Sequence, residues 1–316
     1  MIEEVNRIIF GPVPSRRLGQ SVGINNIPPK ICTYSCVYCQ IGRTYDQKVE
    51  REEFYKPNEI KNAVEKKITN ARKLGEKIDY LTFVSDGEPT LDINIGKEIK
   101  LLKSLDFRIA VITNSSLLWR KDVQEDIFHA DCVSLKIDTV HQESWKKINR
   151  PHQSLNMGKI LSGLTKFSQD FHGDLLTETM LIKGINDNVQ NLERIAEFID
   201  RLDPRESYIS IPTRPPAEKW VRPASEPDIN MSYHIFKDRG IDVKYLVGYE
   251  GNDFAYTGNI QQDLLSIASV HPIREDGVNH FLSKSKADWH IVEKLIREGL
   301  LVEVKYKGYK YYLSKI

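Results

Sequence analysis

Short apolar segments alternate with amphipathic stretches through most of the chain, and this alternation limits its fold more than any other feature. The apolar segments are rich in Val, Ile, Leu, Phe and Tyr and predict strands at residues 21–27, 80–84, 107–113, 132–137, 175–182, 208–211 and 243–247. Helical periodicity lies between them, as at residues 58–74 and 188–201. Strands that alternate with helices favour a parallel sheet with right-handed crossovers. The pattern fits a doubly wound sheet as well as a full or partial β/α barrel.

The end of the chain has a different pattern. Three segments are typical of helices, the first stopped by Pro272 and the third ending near Gly299. The stretch LVEVKYKGYKYYL then alternates with period two around Lys307 and Gly308, which predicts a β-hairpin. Three helices followed by a hairpin is the layout of a winged helix. We therefore predict a barrel domain at residues 1–258 and a winged-helix-like domain at residues 259–316.

Composition and charge exclude several classes of protein. Lys and Arg number 45 against 44 Asp and Glu, so no global field favours nucleic acid or a membrane surface, and a local charged patch is the alternative. The longest apolar runs fall short of the about 20 residues that span a bilayer. The first ten residues, MIEEVNRIIF, do not resemble a signal peptide. These features predict a cytoplasmic, reducing location without membrane partners, where clustered cysteines are metal ligands or redox groups more often than disulfides.

Three of the four cysteines fall in one short loop with the spacing C-x3-C-x2-C: Cys32, Cys36 and Cys39. Three thiolates can ligate three irons of a [4Fe–4S] cubane and leave the fourth iron open for an amine and a carboxylate. A zinc site with a distant fourth ligand and a redox pair of Cys36 with Cys39 remain as alternatives. Cys132 lies in a strand candidate and is expected to be a small buried apolar residue.

The segment from Cys32 to Cys39, CTYSCVYC, resembles the signature of the radical S-adenosylmethionine (SAM) superfamily. The stretch VSDGEPTL at residues 84–91 is similar to that superfamily's Gly-Glu-Pro motif, whose backbone receives the methionyl amino group of SAM. The resemblance implies a partial parallel (β/α)6-type barrel with a [4Fe–4S] cluster and SAM at the C-terminal ends of the strands. It implies an enzyme that cleaves SAM reductively and abstracts hydrogen, with a flavodoxin- or ferredoxin-type electron donor.

The same resemblance assigns residues around SAM. It places Tyr38, Gly87 and Glu88 there, in the cysteine segment and the Gly-Glu-Pro motif. Asn114 and Ser116 end the third strand candidate and would point to the ribose or carboxylate of SAM. An ordinary cap between strand and helix is the alternative for Ser116.

Charged residues at the end of the fourth strand candidate predict the substrate side of the site. Alternation places Ser134, Lys136 and Asp138 on one face, which in a barrel is the lumen. Because charges inside a barrel are costly unless they are paired or used, we expect Lys136 and Asp138 to contact substrate, with a structural pair between them as the alternative. Arg16, Arg17 and Arg214 either hold a phosphate or carboxylate or are ordinary surface residues.

A narrower resemblance is to radical SAM proteins similar to wyosine tRNA synthases, and it covers about residues 11–259. Those synthases hold a second cluster through additional cysteines, for which Cys132 alone is not enough, so wyosine synthesis itself is not implied. We expect the substrate to be an RNA nucleoside, as in tRNA modification, or a peptide residue. The alternative is a cluster-containing redox sensor, or a nucleic-acid-binding regulator that acts through the winged helix.

Overall fold

In the computed structural model, which describes residues 8–248 and 251–315, one eight-stranded sheet forms the framework of the chain up to the C-terminal region. Its strands follow each other in sequence order: β1 (Ile9–Ser15), β2 (Gly19–Ile24), β5 (Tyr80–Phe83), β6 (Arg108–Thr113), β7 (Cys132–Lys136), β8 (Asp174–Met180), β9 (Glu206–Ser210) and β10 (Val243–Leu246). Two short paired strands, β3 (Ile31–Cys32) and β4 (Asp46–Gln47), lie apart from it. The sheet is curled into a half-barrel, so the predicted α/β partial barrel is confirmed.

The sheet is mixed, because β1 pairs antiparallel with β2 while the seven strands from β2 to β10 are parallel. Those seven are the strands that the sequence predicts. Strand β1 was not predicted, since its sequence IFGPVPS contains a glycine and two prolines. Proline is tolerated on an edge strand, where one side of the backbone needs no hydrogen-bonded neighbour, and β1 lies at the edge of this sheet.

Seven helices accompany the strands of the half-barrel in the described residues: α1 (Pro57–Lys73), α2 (Ile95–Lys103), α3 (Lys121–Ile127), α4 (Gln142–Ile148), α5 (Met157–Asp170), α6 (Val189–Asp200) and α7 (Glu226–Lys237). Their apolar faces pack against one face of the sheet in the largest hydrophobic core. Among the residues described, every helix is too short or too polar to cross a bilayer.

The two faces of each strand have different surroundings. On β7, Val133 and Leu135 belong to the core under the helices, so Cys132, Ser134 and Lys136 face the lumen. Cys132 is 2% exposed and packs in a separate apolar cluster with residues of other strands and of the turn between β1 and β2: Leu18, Ala110, Leu176, Tyr208 and Leu246. This cluster forms the floor of the lumen and confirms the apolar role predicted for Cys132.

Residues 259–315, here the C-terminal module, contain α8 (Ile260–Val270), α9 (Glu275–Lys284), α10 (His290–Arg297) and a sheet in the order β11 (Ile273–Arg274), β13 (Tyr309–Ser314), β12 (Leu301–Tyr306). The three predicted helices and the hairpin are therefore present. Lys307 and Gly308 turn the hairpin with φ of 49° and 80°, the left-handed conformation that a two-residue turn requires. The winged-helix assignment and the boundary at residue 258 stay predictions.

The core of the C-terminal module extends beyond the module itself. Phe10 and Val13 of β1, together with Phe254, pack with its helices in one hydrophobic cluster. The half-barrel and the module therefore share apolar contacts along β1, on the edge of the sheet that the module covers.

Candidate active site

Cys32, Cys36 and Cys39 are free thiols that line one cavity of about 310 Å³. Cys32 ends β3, and a turn brings the next two together, since the Cys39 amide donates to the Cys36 carbonyl at 3.1 Å. Burial, with the charge of Asp138 as a smaller cause, raises the pKa of the Cys36 thiol to about 12. A thiol in such a place becomes a thiolate when it binds a metal, which supplies the positive charge that the site needs.

The surroundings of the sulfurs fit an iron–sulfur cluster. Asn114 Nδ2 lies 3.4 Å from Cys32 Sγ, and Asn149 Nδ2 lies 3.5 Å from Cys36 Sγ. Hydrogen bonds to ligand sulfurs are one way in which proteins tune a cluster. In the described part of the chain, no three Cys, His, Asp or Glu side chains converge on a single ion. A cubane presents a different iron to each thiolate, so the thiols of Cys32, Cys36 and Cys39 can hold a cluster without meeting at one ion.

The Gly-Glu-Pro loop follows β5 and presses against the cysteine segment. A Cβ on Gly87 would lie 1.8 Å from the Ile31 carbonyl oxygen, so only glycine fits this contact. The next amide, of Glu88, donates to the same oxygen at 3.1 Å. The backbone at Gly87 therefore lines the cavity beside the thiols.

Glu88 itself is fully buried and holds two loops together. Its Oε1 accepts from the Thr90 amide at 3.1 Å, the Thr90 hydroxyl at 2.5 Å and the Thr113 hydroxyl at 2.6 Å, and its Oε2 accepts from the Asn114 amide at 2.7 Å. Burial raises the pKa of Glu88, and these donors counteract the effect. The carboxylate thus fixes the backbone after β5 to the end of β6 and acts through that backbone.

Asn114 and Ser116 have different positions. The Asn114 amide side chain lines the cavity and donates to Thr33 Oγ1 at 2.7 Å. Ser116 is fully buried, and its hydroxyl shares a hydrogen bond of 2.6 Å with the same Thr33 oxygen. Asn114 is therefore placed to contact a cofactor directly, whereas Ser116 supports the cysteine segment from behind.

Tyr38 and Asp138 meet beside the cluster ligands. The Tyr38 hydroxyl donates to Asp138 Oδ2 at 2.5 Å, and Asn149 Nδ2 donates to the same oxygen at 2.7 Å. The Met180 amide donates to Asp138 Oδ1 at 3.0 Å. Burial first, and then the Asp138 charge, raises the pKa of Tyr38. Asp138 is 3% exposed and is already hydrogen-bonded by three protein groups, so it anchors the cysteine segment to the ends of β7 and β8.

Lys136 pairs with a residue that the sequence analysis missed, and not with Asp138. Its Nζ lies 2.6 Å from Glu178 Oε1, and Arg17 Nη1 lies 2.6 Å from Glu178 Oε2. Burial opposes ionisation of Glu178, but Lys136 and Arg17 outweigh it and hold the pKa of the carboxyl far below its ordinary range. A signal for Glu178 was present in the sequence, because alternation along β8 places this acid on the lumen face with Leu176, where a buried charge needs a partner.

Arg214 and His271 close another side of the cavity. Arg214 Nη1 donates to Gln40 Oε1 at 3.1 Å, and its Nη2 lies 2.5 Å from His271 Nε2. His271 comes from the C-terminal module, and no sequence pattern indicated that it would reach the site. Gln40 directly follows Cys39, so this contact joins the module to the cysteine segment.

The cavity lies where the parallel strands end, which is the edge that carries the chemistry of β/α barrels. Three free thiols, the backbone at Gly87 and charged side chains line it there. That fold and site define a cofactor-dependent enzyme with an iron–sulfur centre. Residues 26–199 match the family model described as the Radical SAM superfamily. The chain belongs to the radical SAM superfamily, and it is a radical SAM enzyme whose cofactors are a [4Fe–4S] cluster and SAM.

The chain is also similar to individual proteins, in sequence or in fold. It is 46% identical over 311 residues to the UPF0026 protein MJ1312 of Methanocaldococcus jannaschii, covering 98% of this chain and 96% of that one. A radical SAM methyltransferase from Sphaerobacter thermophilus has a similar fold, with a TM-score of 0.55, 16% identity and coverage of 72% and 66%. The structure of SuiB of Streptococcus suis bound to S-adenosylmethionine is also similar, with a TM-score of 0.51 and 12% identity. The match covers 71% of this chain and 49% of SuiB. At these identities the two structures confirm the fold alone.

Proposed function

We propose that the thiols of Cys32, Cys36 and Cys39 hold the cluster. Tyr38, Gly87 and Asn114 line the cavity and are proposed to contact SAM, and Glu88 and Ser116, both fully buried, are proposed to support this SAM site from behind. The observation that carries this proposal is the single cavity onto which the three thiols and the Gly87 backbone open. When bound, the cluster supplies the electron that splits SAM into methionine and a 5′-deoxyadenosyl radical, which takes a hydrogen atom from the substrate.

The protein residues around this cavity bind and orient the cluster and SAM. Gly87 lets the loop after β5 lie against the Ile31 carbonyl of the cysteine segment, and Glu88 holds that loop in place through its four hydrogen bonds. Asn114 offers its side-chain amide to both the cysteine segment and the cavity. The apolar floor around Cys132 excludes water below the charged layer of the lumen.

The side chains in the lumen above that floor are polar and charged, which favours a polar substrate. Lys136, Glu178 and Ser210 form one hydrogen-bonded group there, with Ser210 Oγ 2.8 Å from Glu178 Oε1. We propose that Lys136 faces the substrate and that Asp138 acts on it indirectly, by fixing Tyr38. An RNA nucleoside is our first candidate, because a relative 27% identical over 222 residues, 67% of this chain, is named as an RNA methyltransferase.

A peptide residue is the second candidate substrate. Another relative, 26% identical over 181 residues and 54% of this chain, is named as an activating enzyme of glycyl-radical enzymes. The electron donor proposed for either reaction is a protein of the flavodoxin or ferredoxin type.

Deuterium transfer tests the substrate proposal. RNA and peptide fractions come from cells that lack this gene and grow in heavy water, and each is added to the reduced holoprotein with SAM. We expect carbon-bound deuterium to appear in 5′-deoxyadenosine with the RNA fraction. Transfer from the peptide fraction alone would select the second candidate, and transfer from neither fraction would contradict both. A redox sensor would form no 5′-deoxyadenosine.

A further inference from the structure

The C-terminal module touches the catalytic region at a short loop after β9, which comprises Pro212, Thr213 and Arg214. This loop lies outside the residues that match the superfamily model, which end at 199. The module as a whole lies outside them too. The contacts between loop and module therefore lie outside the part of the chain that matches the superfamily model.

The hairpin of the module holds the loop by its main chain. The Tyr306 hydroxyl and Lys307 Nζ donate to the Pro212 carbonyl at 3.2 and 3.3 Å. The Tyr311 hydroxyl donates to the Thr213 carbonyl at 3.1 Å. Because the acceptors are backbone carbonyls, these bonds set the path of the loop and with it the place where the next residue, Arg214, begins.

Arg214 carries this constraint to the cluster ligands. Its guanidinium contacts Gln40 at 3.1 Å and His271 at 2.5 Å, and all three side chains line the cavity. Gln40 is the neighbour of Cys39. A continuous set of hydrogen bonds thus runs from the hairpin, through two carbonyls and one guanidinium, to the segment that holds the thiols.

We propose that the C-terminal module is part of the catalytic apparatus, with Tyr306 and Tyr311 as positioning residues that fix Arg214 against the cluster-binding segment. The proposal rests on the function proposed above. It gives the Tyr306 and Tyr311 hydroxyl groups a role in the site, since both bind the barrel loop. Removal of these bonds should loosen the SAM side of the cavity and leave the cluster ligands in place.

The test compares two variants of the hairpin in the full-length holoprotein. Tyr306→Phe/Tyr311→Phe removes two hydroxyl groups and keeps both rings, while Tyr309→Phe removes the hydroxyl of a ring that is 52% exposed on the same hairpin. We expect kcat/KM for SAM in 5′-deoxyadenosine formation to fall about tenfold in the double variant, as the loss of two neutral hydrogen bonds suggests. The fall should appear mainly in KM, with iron content unchanged, and Tyr309→Phe should match wild type.

A mutant cycle separates positioning from general stability. Gln40→Leu breaks the other end of the connection, so we expect it to lower kcat/KM by a similar factor. Combining it with Tyr311→Phe should then cost less than the product of the two separate effects, because both act through Arg214. The electron paramagnetic resonance spectrum of the reduced cluster with SAM should change in the same variants, which a purely structural role would not produce.

Two results would overturn the inference: hairpin variants with the kinetics and spectrum of wild type, or effects of Gln40→Leu and Tyr311→Phe that simply multiply. Both results differ from a failure of the proposed function. If the proposed function were wrong, the wild-type protein itself would hold no cluster or would form no 5′-deoxyadenosine.

Discussion

The cavity has two walls that are built differently. The cluster-side wall consists of the cysteine segment and the Gly87–Glu88 loop, which are compact in sequence and joined by short backbone contacts such as that of Gly87 with Ile31. The module-side wall consists of Arg214, whose loop is held by a hairpin almost a hundred residues further along the chain, and of His271, which contacts Arg214. The first wall requires particular residue types at fixed spacing, whereas the second needs only the right tertiary contacts.

Loss of a thiol should have the largest effect. We expect Cys36→Ala protein, reconstituted with iron and sulfide, to lose its visible absorbance, most of its bound iron and all SAM cleavage, because Cys36 lies in the cavity. Cys132→Ala is the matched control, since Cys132 is buried in the lumen floor. That variant should keep the cluster and lose only about 1 kcal/mol of unfolding free energy. Equal iron in both variants would contradict the assignment.

Glu88→Gln should have the next largest effect on the cluster-side wall. The glutamine amide places an N–H group where the carboxylate accepts hydrogen bonds, so at least one buried donor loses its partner, at a cost of about 2–3 kcal/mol. We expect a lower midpoint of thermal unfolding and a raised KM for SAM. Glu125→Gln, on an exposed helix surface, is the control and should change neither. An unchanged KM would show that the Gly87 backbone keeps its position without this anchor.

A change in a buried acid pair behind the cluster-side wall should have the smallest effect on the cavity. Glu98 is fully buried beside Asp92, and burial, followed by the charge of Asp92, raises the pKa of Glu98. The folded protein therefore keeps a proton that the unfolded chain releases above about pH 4.5, so stability falls as pH rises from that value. Glu98→Gln does not titrate, so its unfolding free energy should rise relative to wild type as the pH goes from 5 to 8, by up to about 1.4 kcal/mol for each pH unit. Urea unfolding at the two pH values measures this, and a constant difference would refute the protonated state.

The sequence was sufficient for the cluster-side wall because each of its parts is local. The spacing of Cys32, Cys36 and Cys39 and the Gly-Glu-Pro loop indicated two segments that do meet at one cavity, while their roles toward the cluster and SAM stay predictions. Apolar segments predicted the seven parallel strands. Strand β1 was not predicted because its prolines are typical of turns. They are acceptable here only because β1 is an edge strand.

Side-chain partners were the part that the sequence could not supply. Alternation placed Lys136 on the lumen face, but its pairing with Glu178 depends on the register between β7 and β8, where these two residues lie opposite each other. His271 follows a helix with no motif around it, and its contact with Arg214 exists only because the module packs on β1. Such contacts are set by tertiary packing and leave no periodic pattern.

The most direct measurement of the whole account is the formation of 5′-deoxyadenosine by the anaerobically reconstituted protein with SAM and a strong reductant. We predict equal amounts of 5′-deoxyadenosine and methionine from wild type and from Cys132→Ala, and none from Cys36→Ala. A wild-type protein that binds its iron but leaves SAM intact would contradict the assignment of this cavity.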